Sequence, residues 1–210
     1  MTLAMAHGEP NGPTPRQVAL ATPLRVMRWT SLSACLLDAL WSVGADHGGV
    51  VVPLVRRVLE PAASAPLTAA ARANGDGHPL PRLLSRFPDE TALMAAANRQ
   101  RTSTRNGVSK AEAALRYARI LVDHGVHELD DARRMLDTPE LLSPIDRALS
   151  RVPGEGQHGI RRGYFWLLCG DEDRVKLSRR LVQWLADRGA HDPVLPQPAV
   201  IDVATPRLMD

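Results

Sequence analysis

The sequence predicts an all-α domain. Apolar residues recur at helical spacing in one segment after another, and those segments are bounded by cap and stop residues. No segment shows a run of period-two alternation; Val50, Val51 and Val52 are β-branched, but the run is short and leads into helical spacing.

At 210 residues the chain is long enough to bury a core without disulfide or metal staples. Its 44% hydrophobic and 23% charged residues exclude a disordered, collagen-like or low-complexity chain. The longest apolar runs, such as 48–55, fall far short of the ~20 residues a membrane helix needs, so no membrane partner is expected. Residues 1–15 have no basic stretch followed by an apolar block, the pattern of a secretory signal. Cys35 and Cys169 sit inside apolar segments without metal spacing, which suits a reducing, cytoplasmic setting.

Residues 1–25, rich in Pro, Gly, Thr and Ala, read as a flexible arm, 26–189 as the helical domain and 190–210 as a Pro-rich tail. The first strong helix lies within 29–44, with Leu32, Cys35, Leu36, Ala39, Leu40 and Val43 at helical spacing, Ser31 as N-cap and Gly44 as stop. A second covers 50–59, with Pro53 in its first turn and Pro61 closing it. The connector 61–81 holds the breaker Asn74-Gly75-Asp76-Gly77. Short helices follow at 80–87 and from Pro88-Asp89 to Ala97. After the polar stretch 98–108, Ser109 caps a long helix over 110–124 that Gly125 stops. Helices are expected at 129–136, from Ser143-Pro144 onward, at 159–169 and at 172–188.

The basic residues are unevenly placed. Of 26, only Lys110 and Lys176 are lysines. Stretch 98–119 holds Arg99, Arg101, Arg105, Lys110, Arg116 and Arg119 against Glu112 alone, and 151–180 holds seven basic residues against four acidic. Clustering of this kind suits a polyanion binder; a solvated helix face is the plainer alternative. The arginine excess is equally accounted for by genomic base composition.

The most informative stretch is Val152-Pro153-Gly154-Glu155-Gly156-Gln157-His158-Gly159-Ile160, a tight turn between two helices. Its glycines permit positive φ, and the following helix directs its free N–H groups the same way as the turn amides. That arrangement cradles an anion such as a DNA phosphate; an ordinary interhelical turn is the alternative.

In context the stretch resembles the helix-hairpin-helix DNA glycosylase superfamily, the group containing endonuclease III. Lys110-Ala111 opens the long helix as in that group, and Val152-Pro153-Gly154-Glu155-Gly156 matches its hairpin. Ser33-Ala34-Cys35-Leu36-Leu37-Asp38-Ala39-Leu40-Trp41-Ser42-Val43-Gly44 is similar to the first helix of an uncharacterised bacterial branch. The resemblance implies a glycosylase-like helical fold, related to base-excision DNA repair. It implies duplex DNA as partner, held through the phosphate backbone by the amides of Gly154, Gly156 and His158, with a monovalent cation on the hairpin carbonyls. Flanking contacts would come from Arg99, Arg101, Arg105, Arg161 and Arg162.

The departures concern chemistry. The family's Schiff-base lysine is matched here by His158, which cannot form a stable iminium. Its catalytic aspartate is matched by Ser178, a neutral hydroxyl. Glu155 fills a slot that is usually apolar, where a carboxylate would oppose phosphate binding. Asp38, Asp171 and Asp173 are the acids that could substitute; the plainer roles are helix packing for Asp38 and first-turn placement for the other two. The histidines show no metal spacing, the aromatic residues fall at core spacing, and no iron–sulfur cysteine set is present. The expectation is a duplex-DNA-binding protein without lyase activity. The alternatives are an atypical monofunctional glycosylase and a helical scaffold or adaptor.

Overall fold

The computed structural model describes residues 28–60, 67–69, 75–105, 107–155 and 159–171. The expected arm, the helix at 172–188 and the tail lie outside the described residues, as do Gly156, His158, Asp173 and Ser178.

The described chain is essentially all-α. Its helices are α1 (Leu32–Trp41), α2 (Val52–Leu59), α3 (Leu80–Arg86), α4 (Glu90–Ala96), α5 (Lys110–Asp123), α6 (Leu129–Leu136), α7 (Pro139–Leu149) and α8 (Ile160–Cys169). A π-helical turn, His47–Val51, leads into α2. The expected helix at 50–59 thus begins with wider turns, and Pro53 sits in the first turn of the α-helical part. A two-residue antiparallel ribbon pairs β1 (Arg28–Trp29) with β2 (Thr68–Ala69), a pairing too short to leave a period-two signal.

Helix α1 is the centre of the fold. All ten of its residues are buried, including Ser33 and Asp38, because a helix apolar on every side must be surrounded. It packs against α2, α5 and α8. It runs antiparallel to α8: Cys35 Sγ faces Leu168 O at one end (3.5 Å), while Arg161 Nε donates to Leu40 O at the other (3.4 Å). The C-terminal end of α1 therefore meets the start of α8, beside the hairpin turn.

Several caps sit where the sequence places them. Ser109 Oγ accepts from Glu112 N at the start of α5, and Asp89 Oδ1 accepts from Ala92 N at the start of α4 (both 2.9 Å). Gly125 ends α5 with φ +77°. Ser31 occupies the N-cap position of α1 but does not cap it; its hydroxyl donates to His78 O. Asp76 takes that role from a distance. One of its oxygens accepts from Leu32 N (2.8 Å) and Leu129 N (3.0 Å), the first residues of α1 and α6, and the other accepts from His78 N. Two helix dipoles converge on one carboxylate.

Helix α7 starts earlier than Ser143-Pro144 suggests. Pro139 already supplies a favourable first position, and Pro144 lies inside the helix on its exposed side. There the Glu140 carbonyl, which loses its helical N–H donor, is left on the exposed side of the helix.

Lys110 closes the other end of α1. Its ammonium is buried and donates to Trp41 O (2.9 Å), Val43 O (3.0 Å) and Gln100 Oε1 (3.1 Å), satisfying its three protons. Burial, with the Arg161 charge nearby, brings its pKa down to about 8.

Candidate functional site

After α7 the described part of the hairpin, 152–155, makes a turn. Glu155 N donates to Val152 O (3.1 Å), and Gly154 takes φ +84°, open to glycine and strained for other residues. Gly159, also left-handed at φ +71°, precedes α8.

The arginine-rich connector lies directly against this turn. A Cβ built on Gly154 would collide with the side chain of Thr102. The connector is shaped by Thr102 N donating to Val108 O, Lys110 N donating to Gln100 O and a bridge between Arg101 and Ser109. The turn and the first basic stretch, 52 residues apart along the chain from Thr102 to Gly154, are therefore neighbours in space.

Arg99, Arg101 and Arg105 are exposed on this connector. Arg101 Nε donates to Gly107 O, which steadies the side chain without neutralising it. Arg151, just before the turn, is exposed as well. Among the described residues, none of these four forms an ion pair. Arg151 was legible as a basic residue two positions before Pro153, yet the resemblance did not point to it.

Two expected contacts need correction. Arg161 is not a flanking surface group: it is 2% exposed, and its guanidinium donates to Gly154 O (2.6 Å), Thr102 O (3.1 Å) and Leu40 O (3.4 Å). Arg162 is half-buried and neutralised, pairing with Asp146 Oδ2 (2.6 Å) and Glu155 Oε1 (3.0 Å). Position on the first turn of a helix packed into α1 turns both side chains inward. The Gly154 carbonyl, which the resemblance offers to a monovalent cation, is engaged by the Arg161 guanidinium.

Glu155 also differs from expectation. Its side chain points inward, 8% exposed, onto Arg162. Burial pushes its carboxyl above the usual carboxylate range, with Arg162 pulling the other way. The carboxylate is thus directed away from any ligand of the turn.

Of the acids, Asp38 is fully buried on α1. It accepts from Trp29 Nε1 (2.7 Å) and Ser42 Oγ (2.5 Å), and pairs with His47 Nε2 (2.9 Å). Tyr164 joins this cluster from α8, its hydroxyl held far toward the neutral form by burial and by the Asp38 charge. His47, whose side chain is 50% exposed, carries the cluster to the surface from the π-helical turn. No spacing in the sequence joins His47 to an acid; a nine-residue separation across a helix end is not a recognisable pattern. Asp171 follows α8 at the end remote from the turn, ~15 Å of helix away. The structure does not bring it to the hairpin.

Most of the described aromatic residues serve as packing. Trp29, Trp41, Trp166, Tyr117 and Phe165 are all buried. Among the described residues there is no group of His, Cys, Asp or Glu placed to hold a metal, and no helix is long and apolar enough to cross a membrane.

Residues 15–205 match the family model described as a domain of unknown function (DUF8548), and the chain belongs to that family. No curated protein and no solved structure matches it.

Proposed function

We propose that the protein binds duplex DNA through the phosphate backbone, as a helix-hairpin-helix domain of the glycosylase-like kind. The observation that carries this reading is the packing of Gly154 on Thr102, which sets the hairpin beside Arg99, Arg101 and Arg105. Guanidinium groups without an ion-pair partner among the described residues, next to a glycine turn, are suited to phosphate oxygens and carry no base-reading information. Glu155, the acid of the turn, faces inward onto Arg162 and does not oppose them. Arg151 extends the same surface, and Gly156 and His158 would add their amides.

The test is titration of labelled duplexes of unrelated sequence with the wild-type chain and with the Arg99→Glu, Arg101→Glu, Arg105→Glu triple variant. The triple variant weakens binding at least ~10-fold on every duplex if the surface is right. Equal affinity for the two proteins would remove the basis for this reading.

A second reading, a monofunctional glycosylase, is favoured by one observation. Asp38 holds His47 at the surface, as an orienting acid holds a general base. Base release abolished by both Asp38→Asn and His47→Gln would support it. Under either reading no covalent adduct is expected with abasic DNA in borohydride, because His158 stands at the family's Schiff-base position and Lys110 has its three protons engaged inside the fold. A trapped adduct would contradict that expectation.

A further inference from the structure

We propose that Arg161 is the positioning residue that makes this surface select duplex over single-stranded DNA; the inference rests on the DNA-binding reading above. Its guanidinium joins three separate stretches of chain: the end of α1 at Leu40, the connector at Thr102 and the turn at Gly154. Its main-chain N–H adds a fourth link, to Glu155 O at 3.4 Å. The group is 2% exposed, so it touches no ligand.

A guanidinium is planar and its donors have fixed directions, so three carbonyls held on one fork are fixed relative to each other. Here that fixes the turn at Gly154 relative to the connector that carries the exposed arginines. Duplex phosphates also have a fixed spacing. Two rigid arrays that match lose little conformational freedom on binding. A single strand is flexible and adapts to whatever spacing the protein presents. Removing the clamp therefore penalises the duplex far more than the strand.

The experiment is fluorescence anisotropy of the full chain with a short labelled duplex and with one of its strands, at one salt concentration. Wild type, Arg161→Lys and Arg161→Met are compared. The wild type favours duplex by ~10-fold or more. In Arg161→Met the preference falls to within about 3-fold, while affinity for the strand changes little. Arg161→Lys lies between, because an ammonium cannot reproduce the fork; it carries the test if circular dichroism shows Arg161→Met unfolded. Loss of duplex and strand affinity by the same factor would overturn the proposal, since a merely structural role lowers both together. If the wild type binds neither nucleic acid, the DNA-binding reading fails. Hydrogen exchange then decides the clamp by itself: faster exchange at Thr102, Gly154 and Glu155 in Arg161→Lys supports it, and unchanged exchange overturns it.

Discussion

Gly154 packs directly on Thr102, and the carbonyl oxygens of both residues accept from the guanidinium of Arg161, at 2.6 and 3.1 Å. This contact sets the connector that carries Arg99, Arg101 and Arg105 beside the hairpin turn. It also explains why glycine is required at this position twice over. The backbone has φ +84°, and the space a Cβ needs is filled by a threonine side chain.

Gly154→Ala is accordingly expected to destabilise the fold by about 1–3 kcal/mol through backbone strain, before any loss from displacing Thr102. Urea unfolding measures the loss. Wild-type stability in this variant would mean that the turn relaxes freely and does not hold the connector.

Asp76 caps two helices, so Asp76→Ala removes acceptors from Leu32 N and Leu129 N together. One lost cap costs ~1 kcal/mol, and two give about 2 kcal/mol. A shift in the urea midpoint of that size, with the denaturant slope unchanged, is the expected result. Asp76→Asn keeps an acceptor oxygen and loses the charge, so it falls between.

His78 makes stability depend on pH. Its ring is buried, with Nε2 unpartnered. Burial, followed by the Arg82 charge, holds its pKa below the ordinary 6.5, with Asp76 opposing. The unfolded chain takes up this proton first, so acid favours unfolding. Stability contributed by neutral His78 is present above about pH 6.5 and is lost as pH falls from there toward the lowered native value. In His78→Gln the loss of stability over this range is smaller, as read from urea midpoints at successive pH values. An identical pH profile in the variant would contradict the assignment.

The local features of the fold were legible in the sequence. Ser109, Asp89, Gly125 and the apolar spacing of α1 and α5 act within one or two turns of themselves, and each sits where expected. What was not legible depends on partners far along the chain. Asp76 caps helices 44 and 53 residues away, a relation no local pattern encodes. Arg161 and Arg162 look like surface charges because arginines usually are. The packing of α8 on α1 brings Leu40 O within reach of Arg161, and Asp146 on α7 lies within reach of Arg162. Pro144 looked like a helix start, yet Pro139 is the better one and the later proline is tolerated on an exposed face. Of the candidate site, Arg99, Arg101 and Arg105 lie exposed on the connector, while the Asp38–His47 pair emerges only when the chain turns back after α1.

The most direct test of the central claim is the salt dependence of duplex binding by the wild-type chain. A surface built on Arg99, Arg101, Arg105 and Arg151 neutralises a few phosphates, and each contributes about −0.9 to the slope of log K against log salt. A slope of about −3 to −4, the same on duplexes of unrelated sequence, is the expected result. An affinity that does not change with salt, or the absence of duplex binding at low salt, would contradict it.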